Sequence, residues 1–583
     1  MPQRSPTRES ARLYDSYIGL YTPEQLARVG RYLHAELDRS LPLLRRPGHP
    51  RVCFLSYLFR NGRRESLRAR LGAIAAHDIE SRAQVYCDLR VGSTRYDQVA
   101  RGGLDDNSDE DESFRYIGMP SEVNEDAYRV ALWRLTEARY REAVEGYFER
   151  KSEELHYVDE ARGFASRKRE EPVRAGRLVR FAELDLDYWR HVLRRASALL
   201  RDCPDIQISE LELSSWHAQQ RFVSSEGTDV VHQRAIFDLY ATFWMLTPKG
   251  HRVEQEINVV TAEAEELPDE RDILRLVRER VELMRALERA PYLSAFSGPV
   301  LLAPGPAGLF FHEVVGHRLE GSRLLCPEEG ATFANLRGKP IAPDFVDIVD
   351  DPTVRRFRGR SLVGSFPFDD EGRRARCARL VEAGVLRNFL TTAGSIPGQK
   401  ELNAHARNAN HERPISRMGN LFVASRQPLA RAQLWARFLE EIRRRKAPFG
   451  IFVRETLGGE TETKSYDFQA FKGEIMRAER VLPSGKRELV RGVDFVGTPL
   501  SALEALVALG DDRTVDNAYC GAESGYIPVS TIAPSALMAT LELQSKDRQR
   551  YSPFSLPPPP LGGRAAGKVK RSGRRAAVRS RAR

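Results

Sequence analysis

The sequence predicts an α+β protein. A mixed N-terminal α/β domain is followed by a C-terminal domain with a large, mainly antiparallel sheet that carries a short helix with two histidines. Before residue 200 we expect helices to be prominent with shorter β runs between them, because apolar residues recur at helical spacing between Leu132 and Phe148. From Ile206 onward the sequence becomes strand-like, most clearly over the aromatic run 237–246. In the C-terminal half, short β-prone runs are separated by Gly, Asn and Asp, among them 345–349, 361–368 and 474–481.

The chain of 583 residues is too long for one ordinary core, and its length predicts two or more domains. A charged helix at 269–288 leads into the strand-like run 299–304, so we expect the main boundary near residue 295. The acidic run 104–113 is predicted to be a solvated loop. The expected order is an N-terminal extension (1–20), a mixed α/β domain with a helical insertion (21–295), the C-terminal domain (296–545) and a disordered Pro-rich and basic tail (546–583).

The net charge of +10 is concentrated at one end of the chain. Residues 564–583 contain nine Lys or Arg and no Asp or Glu, so the remainder is nearly neutral. We therefore do not expect a basic face that follows nucleic-acid phosphates. The tail itself fits two descriptions: a solvated disordered segment, or a segment that contacts RNA, DNA or an acidic partner.

The six cysteines are widely separated and form no C-x-x-C pair, a pattern that argues against a disulfide framework or a zinc ribbon. Reduced thiols in the cytoplasm fit this pattern best. Residues 1–10 lack the apolar core of a secretory signal. The most apolar window, 299–315, is interrupted by Pro304, Gly305 and Pro306 and is too short to cross a bilayer. We expect a cytoplasmic protein without a membrane segment.

The strongest chemical signal is the run H-E-V-V-G-H at residues 312–317, which follows a predicted strand and a proline suited to a first helical turn. Neutral imidazole is a good zinc ligand, and a neighbouring carboxylate can accept a proton from metal-bound water as that water attacks a carbonyl. The run therefore predicts metal ligation by His312 and His317, with Glu313 as the general base. The alternative is a helix whose histidines are only hydrogen-bonded at a surface.

The spacing of the two histidines is one residue longer than in H-E-x-x-H enzymes. On a regular helix, residues five apart point about 140° away from each other, so a straight helix would not chelate a metal. We expect the helix either to widen or to end near Gly316, which has no Cβ to resist such a change.

The residues around this run resemble the signature of the TldD/PmbA family of metallopeptidases, from Pro299-Val300-Leu301 through Arg318-Leu319-Glu320-Gly321. The resemblance covers residues from about 50 to 545. It is strong after residue 296 and weak before it, where the clearest match is the run 225–228. Further matching blocks follow in the family's order: Phe368-Asp369-Asp370-Glu371-Gly372, Arg413-Pro414 with Arg417-Met418 and Asn420, Gly458-Gly459-Glu460, and Cys520-Gly521 with Ile527-Pro528-Val529.

The resemblance implies one Zn²⁺ per chain, because the family binds zinc through the two motif histidines and a distant cysteine. On this sequence that cysteine is Cys520. Two imidazoles and a thiolate leave the fourth position of a tetrahedral ion open for water. Cys326, nine residues after His317, is the local alternative ligand, and either cysteine also suits a small buried apolar position.

The resemblance also implies a function. The chain keeps the motif that silent family members lack, so it is similar to the active, TldD-like members. These use a metal-activated water to hydrolyse peptide bonds in peptides or unfolded polypeptides. The family implies a homodimer, or a heterodimer with a TldD/PmbA homologue. The run 521–526 departs from the family because it lacks the usual lysine and glutamine. The alternative function is a non-catalytic binding or assembly subunit that retains the fold.

A second group of polar residues lies between positions 405 and 417 and overlaps the matching block that begins at Arg413. These side chains suit binding of a substrate carboxylate or an oxyanion, but arginine is abundant throughout this chain and a structural role is equally consistent. We assign no catalytic role to this group, which consists of His405, Arg407, His411, Arg413 and Arg417.

Overall fold

The computed structural model describes residues 11–12, 20–99, 104, 115–153, 167–176, 178, 181, 183–247, 249–326, 329, 332–409, 412–464, 469–546 and 551–552. Most of the predicted N-terminal extension, nearly all of the predicted acidic loop and most of the predicted tail lie outside these residues. Among the described helices, none combines the length and the apolar content needed to cross a membrane.

The N-terminal part contains nine strands and four helices among the described residues. In chain order these are β1 (Ala11–Arg12), α1 (Pro23–Leu43), β2 (Val52–Arg70), β3 (Ala73–Val91), β4 (Tyr116–Met119), α2 (Glu125–Glu153), β5 (Arg174–Gly176), β6 (Glu183–Leu184), α3 (Leu186–Ala198), β7 (Ile206–Ser224), β8 (Asp229–Leu246), β9 (Arg252–Thr261) and α4 (Glu270–Arg289). Seven of the strands form one sheet in the order β4-β3-β2-β7-β8-β5, with β9 on β8, and every pairing is antiparallel except that of β5 with β8.

The four helices cover one face of this sheet. α1 and α2 pack on alternate residues of β2 and β3, including Leu55, Tyr57 and Phe59. α3 and α4 pack on the same face further along, where Leu67 and Leu213 are register partners. The opposite face therefore remains for the C-terminal part, which it meets through an apolar cluster containing Phe222 and Phe368, among others.

The length of β2 and β3 differs from the prediction. We expected helices to be prominent before residue 200 with only short β runs between them, but these two strands have 19 residues each. Their distal halves are rich in Arg, Glu and Asp, which pair across strands, for example Arg68 with Asp78. Polar side chains on both faces remove the period-2 alternation by which a strand is recognised in a sequence.

The C-terminal part contains the remaining described strands and three helices. They are β10 (Phe296–Leu302), α5 (Pro304–Phe311), β11 (Val346–Asp350), β12 (Arg356–Phe357), β13 (Arg360–Ser361), β14 (Ala378–Glu382), β15 (Val385–Leu386), β16 (Ala406–Arg407), β17 (Ile415–Ser416), β18 (Asn420–Ser425), α6 (Arg431–Arg444), β19 (Gly450–Thr461), β20 (Phe471–Val481), β21 (Arg487–Val490), β22 (Val493–Gly497), α7 (Pro499–Glu504), β23 (Leu506–Leu509), β24 (Thr514–Ala522), β25 (Gly525–Ala533) and β26 (Ala536–Ser545).

Two larger sheets replace the single large sheet that we expected here. One has the order β10-β19-β20-β22-β26-β23 with β21 on β20, and an added pairing of β10 with β26 closes five of its strands into a ring. The other has the order β15-β14-β11-β18-β25-β24. Each is antiparallel except for one pair, β10 with β19 and β18 with β25. The predicted strand at 361–368 is confined to β13 and is followed by turns.

Helix α5 lies between the two C-terminal sheets. Its residues Phe310 and Phe311 are fully buried in the largest apolar cluster, which draws side chains from both sheets. Gly308 faces β25 closely, because a Cβ at that position would lie 3.4 Å from Thr531. This packing fixes the direction in which the chain after residue 311 leaves the helix, and that segment carries the histidine motif.

Candidate metal centre

The segment after α5 widens into a π-helical turn. Residues His312–Gly316 form this turn, and the N–H of His317 donates to the carbonyl of His312, an i to i+5 bond. A 3₁₀ turn, His317–Leu319, follows. The wider turn brings two residues five apart to the same side, so the His312 and His317 ring centroids lie 5.0 Å apart. Widening at this position is one of the two conformations that the spacing predicted.

Gly316 is needed for a reason other than backbone freedom. Its φ of −53° and ψ of −60° are ordinary helical values that any residue adopts. A Cβ at this position would instead lie 2.1 Å from the Sδ of Met418. The absence of a Cβ at Gly316 therefore leaves room for Met418 to pack against the π turn.

Cys520 meets the two histidines from β24. Its Sγ lies 3.2 Å from His312 Nε2 and 3.3 Å from His317 Nε2. The candidate ligand atoms of the three residues all lie within 4.8 Å of one another, and all three side chains are buried. Among the residues that the structure describes, no other group of three or more His, Cys, Asp or Glu side chains is arranged in this way.

The surroundings of Cys520 favour its thiolate. Burial by itself raises the pKa of a thiol, but His317, Arg417 and His312 together lower the pKa of Cys520 well below its usual range. The Nη2 of Arg417 donates to the Sγ at 3.2 Å and to the Cys520 carbonyl at 2.8 Å. Because the thiolate is the form of cysteine that binds metals, this charge distribution suits a ligand.

Glu320 connects His317 to two arginines. Its Oε1 lies 3.3 Å from both His317 Nδ1 and Arg417 Nε, and its Oε2 accepts from Arg323 Nε at 3.0 Å. The first two contacts are ion pairs by distance but are not aligned as hydrogen bonds. Although burial opposes ionisation, the charges of His317 and Arg323 lower the pKa of Glu320 to about 2. Glu320 therefore favours the folded state above its ordinary pKa of 4.5 and loses that contribution as the pH falls toward 2.

Glu313 lies beside this group in the same π turn. Its side chain is 5% exposed, and burial raises the pKa of its carboxyl above the usual value. β19 runs close to it, because a Cβ on Gly459 would lie 3.1 Å from Glu313 Cγ. The neighbouring Arg318 donates to the Glu313 backbone carbonyl at 2.8 Å. A buried carboxylate with a raised pKa suits a proton acceptor near neutral pH.

The three candidate ligands fit a zinc ion. In a tetrahedral site with bonds of about 2.0 to 2.3 Å, neighbouring donor atoms lie about 3.5 Å apart. The two N to S distances come within a few tenths of an ångström of this value. Imidazole and thiolate donors select zinc over magnesium or calcium. His317 also has the carboxylate partner on its second nitrogen that is usual for a metal-bound histidine. Metal ligation itself stays a prediction.

Cys326, the alternative ligand, does not take part in this arrangement. It packs in a small apolar cluster with Leu104 and Ile415. The structure therefore brings together His312, His317 and Cys520, the three ligands that the resemblance implied.

We predict that Cys520→Ser lowers metal content sharply, because a neutral hydroxyl is a poor substitute for a thiolate. Cys326→Ser makes the same replacement of sulfur by oxygen outside the cluster, and it should leave the metal content unchanged. Elemental analysis of dialysed protein measures both variants. Loss of metal in Cys326→Ser with retention in Cys520→Ser would show that the ligand set is wrong.

We predict that Glu320→Gln weakens metal affinity roughly 10- to 100-fold, the usual cost of removing a carboxylate partner from a metal-bound histidine. The matched control is Glu523→Gln, because Glu523 pairs with Arg323 at 2.8 Å but does not contact His317. Competition with a chromogenic chelator measures both affinities. Equal weakening in the two variants would mean that the effect passes through Arg323 and not through His317.

The second group of polar residues is mostly buried in ion pairs and hydrogen bonds away from the cluster. His405 is fully buried against Asp350 at 3.2 Å, Arg413 pairs with Asp88 at 3.1 Å, and Arg407 donates to two backbone carbonyls. His411 lies outside the described residues. Arg417 alone contacts the cluster, but it is fully buried and holds Cys520. We therefore give it a positioning role.

Sequence reasoning did not assign Glu320 and Arg417. The spacing of Glu320, three residues after His317, is a signal that could have identified it, since residues at i and i+3 on a helical turn are neighbours. Arg417 gave no local signal, because its contact with Cys520 joins residues 103 apart in the chain.

The comparisons with known proteins concern the family and the fold of the chain. Residues 297–545 match the family model described as the PmbA/TldA metallopeptidase C-terminal domain. Residues 297–545 therefore form a domain of the TldD/PmbA family. The likeness extends to the fold of TldE from Thermococcus kodakarensis, whose crystal structure matches with a TM-score of 0.56 at 13% identity, covering 88% of this chain and 100% of that chain.

Curated relatives within the TldD/PmbA family are named metalloproteases. One from Archaeoglobus fulgidus is 31% identical over 262 residues, which cover 44% of this chain and 56% of that protein. A zinc metalloprotease TldD homolog from Saccharolobus solfataricus is 27% identical over 247 residues, which cover 42% of this chain and 51% of that protein. The chain spans about half the length of the curated relatives that it matches. These names support a metallopeptidase at the level of the family.

Proposed function

We propose that the chain is a zinc metallopeptidase that hydrolyses peptide bonds in peptides or unfolded polypeptides. The observation that carries this proposal is the convergence of His312, His317 and Cys520 beside the buried carboxylate Glu313. A set of two imidazoles and one thiolate leaves a position for water on a tetrahedral ion, as a catalytic zinc site requires.

Each residue near the site has a distinct proposed role. When bound, zinc supplies a Lewis acid that polarises the substrate carbonyl and lowers the pKa of water. His312, His317 and Cys520 would hold it. Glu313 would accept a proton from the attacking water, and the burial that raises its pKa brings it closer to the working pH. Glu320 orients His317, and Arg417 fixes Cys520 on its strand.

The position of Cys520 supports an extended substrate. β24 ends the order of its six-stranded sheet, and among the described strands it pairs only with β25. A strand edge that pairs with no other strand offers backbone donors and acceptors to an extended peptide without reading its sequence. A folded protein has few extended segments whose backbone is free to pair with this edge. We therefore propose peptides and unfolded chains as the substrate class.

We also propose that the chain works as a dimer, with a second copy or with a TldD/PmbA homologue. This part of the proposal rests on the family resemblance. Light scattering on the purified chain, alone and mixed with the homologue, measures the assembly.

The test of the proposed function is metal analysis together with hydrolysis on one preparation. Purified protein should contain about one zinc per chain and cleave an unfolded polypeptide. Activity should disappear on chelation and return with added zinc. A zinc-loaded protein that binds peptides but cleaves none would instead identify a non-catalytic binding subunit.

A further inference from the structure

A cavity with a volume of about 790 Å³ lies between the N-terminal sheet and the C-terminal part. One wall is β8, including His232 and Arg234, and the other is the segment from Pro352 to Phe368. Its volume lies in the range of small-molecule sites in proteins. It does not include the residues of the candidate metal centre.

Two guanidinium groups line this cavity without an acceptor among the described residues. Arg234 projects from β8, where it is partly buried, and Arg355 lies on the opposite wall. The one carboxylate that lines the cavity in the described part of the chain, Glu263, is paired with Arg356. The lining therefore carries positive charge that no lining carboxylate neutralises.

Asp370, the carboxylate whose charge acts most strongly on Arg234, already has three other partners. Asp370 receives contacts from Arg60 Nη2 at 3.1 Å, Gln220 Nε2 at 3.0 Å and the backbone N–H of Asn408 at 2.9 Å. Burial lowers the pKa of Arg234, and Asp370 offsets this only in part because Arg60 also lies nearby. A partly buried guanidinium without a counter-charge is costly, and such a group is normally paired.

His232 adds a neutral donor to the same wall. Burial, followed by the nearby charge of Arg234, lowers its pKa to about 4, so its ring is uncharged at neutral pH. A neutral imidazole carries one N–H and can donate one hydrogen bond. The apolar residues Leu362, Val363 and Phe366 also line the cavity and are buried.

We propose that this cavity binds a small anionic ligand through a carboxylate or phosphate group held by Arg234 and Arg355, with His232 donating a hydrogen bond. Guanidinium groups form charge-assisted hydrogen bonds with either oxyanion and match the planar geometry of a carboxylate. The cavity is larger than a bare ion needs, so the remainder of the ligand would contact the apolar wall.

Isothermal titration of the full-length protein with inorganic phosphate and with succinate tests the proposal at constant ionic strength. At least one of the two anions should bind, and the comparison distinguishes a phosphate from a carboxylate site. Arg234→Gln and Arg355→Gln should each weaken binding by about tenfold or more. Arg379→Gln is the matched control, because Arg379 is exposed on β14, away from the cavity.

Arg355 is exposed, so Arg355→Gln remains informative if Arg234→Gln fails to fold. Binding of neither anion to the wild-type protein would overturn the proposal. Binding that both substitutions leave unchanged would overturn it too, since the anion would then lie elsewhere. Peptide hydrolysis is not part of this measurement, so the result is independent of the proposed function.

Discussion

Glu313→Gln should keep the metal and lose peptide hydrolysis by about two to four orders of magnitude, the range typical for loss of general acid–base catalysis. Gln has the same shape and can still hydrogen-bond water, but it cannot accept a proton. Since Glu313 lies in the π turn between the two histidines and is nearly fully buried, the substitution should leave the three candidate ligands in place.

Metal content and kcat must be measured on the same preparation of Glu313→Gln. Glu504→Gln is the matched control, because Glu504 is an exposed residue at the end of α7, and it should behave as wild type. Wild-type turnover by a zinc-loaded Glu313→Gln protein would rule out the carboxylate as the base while leaving the metal site intact.

His312→Ala and His317→Ala should each remove most of the metal and reduce hydrolysis to background. Each substitution leaves two of three candidate ligands, and two-ligand sites bind zinc far less tightly than three-ligand sites. The loss of affinity should exceed the roughly 10- to 100-fold expected for Glu320→Gln, because a ligand is removed and not its partner.

Elemental analysis and chelator competition measure these two variants, and thermal unfolding checks that they fold. His191→Ala is the control for loss of an imidazole, because the His191 side chain is 62% exposed and lies on α3. Full retention of zinc in both His312→Ala and His317→Ala would contradict the site.

The sequence by itself identified His312, Glu313 and His317 as the residues proposed to carry the chemistry. The H-E-V-V-G-H run is local, and the helical signal before it comes from a proline at the first turn and an apolar segment. Local spacing also predicted that a regular helix could not present both histidines. The structure shows a π turn, which is one of the two conformations that this spacing predicted. Such features depend on neighbours within one or two helical turns, so they can be predicted from the sequence.

The choice of Cys520 over Cys326 came from family resemblance, since no local pattern joins residues that lie 203 apart. Only the tertiary structure brings β24 against the π turn, with Arg417 holding the strand. The same limit applies to Gly316. Its role depends on Met418, which packs against it from a segment about 100 residues later.

The length of the strands and their arrangement into sheets also depended on the tertiary structure. Period-2 alternation indicates a strand only when one face is apolar and the other polar, so the charged distal halves of β2 and β3 gave no such signal. Whether the C-terminal strands form one sheet or two depends on which edges pair, as when β10 closes onto β26. Local sequence sets the tendency to form strands and turns. Pairing, burial and the joining of distant side chains depend on long-range packing, which no single segment of the sequence contains.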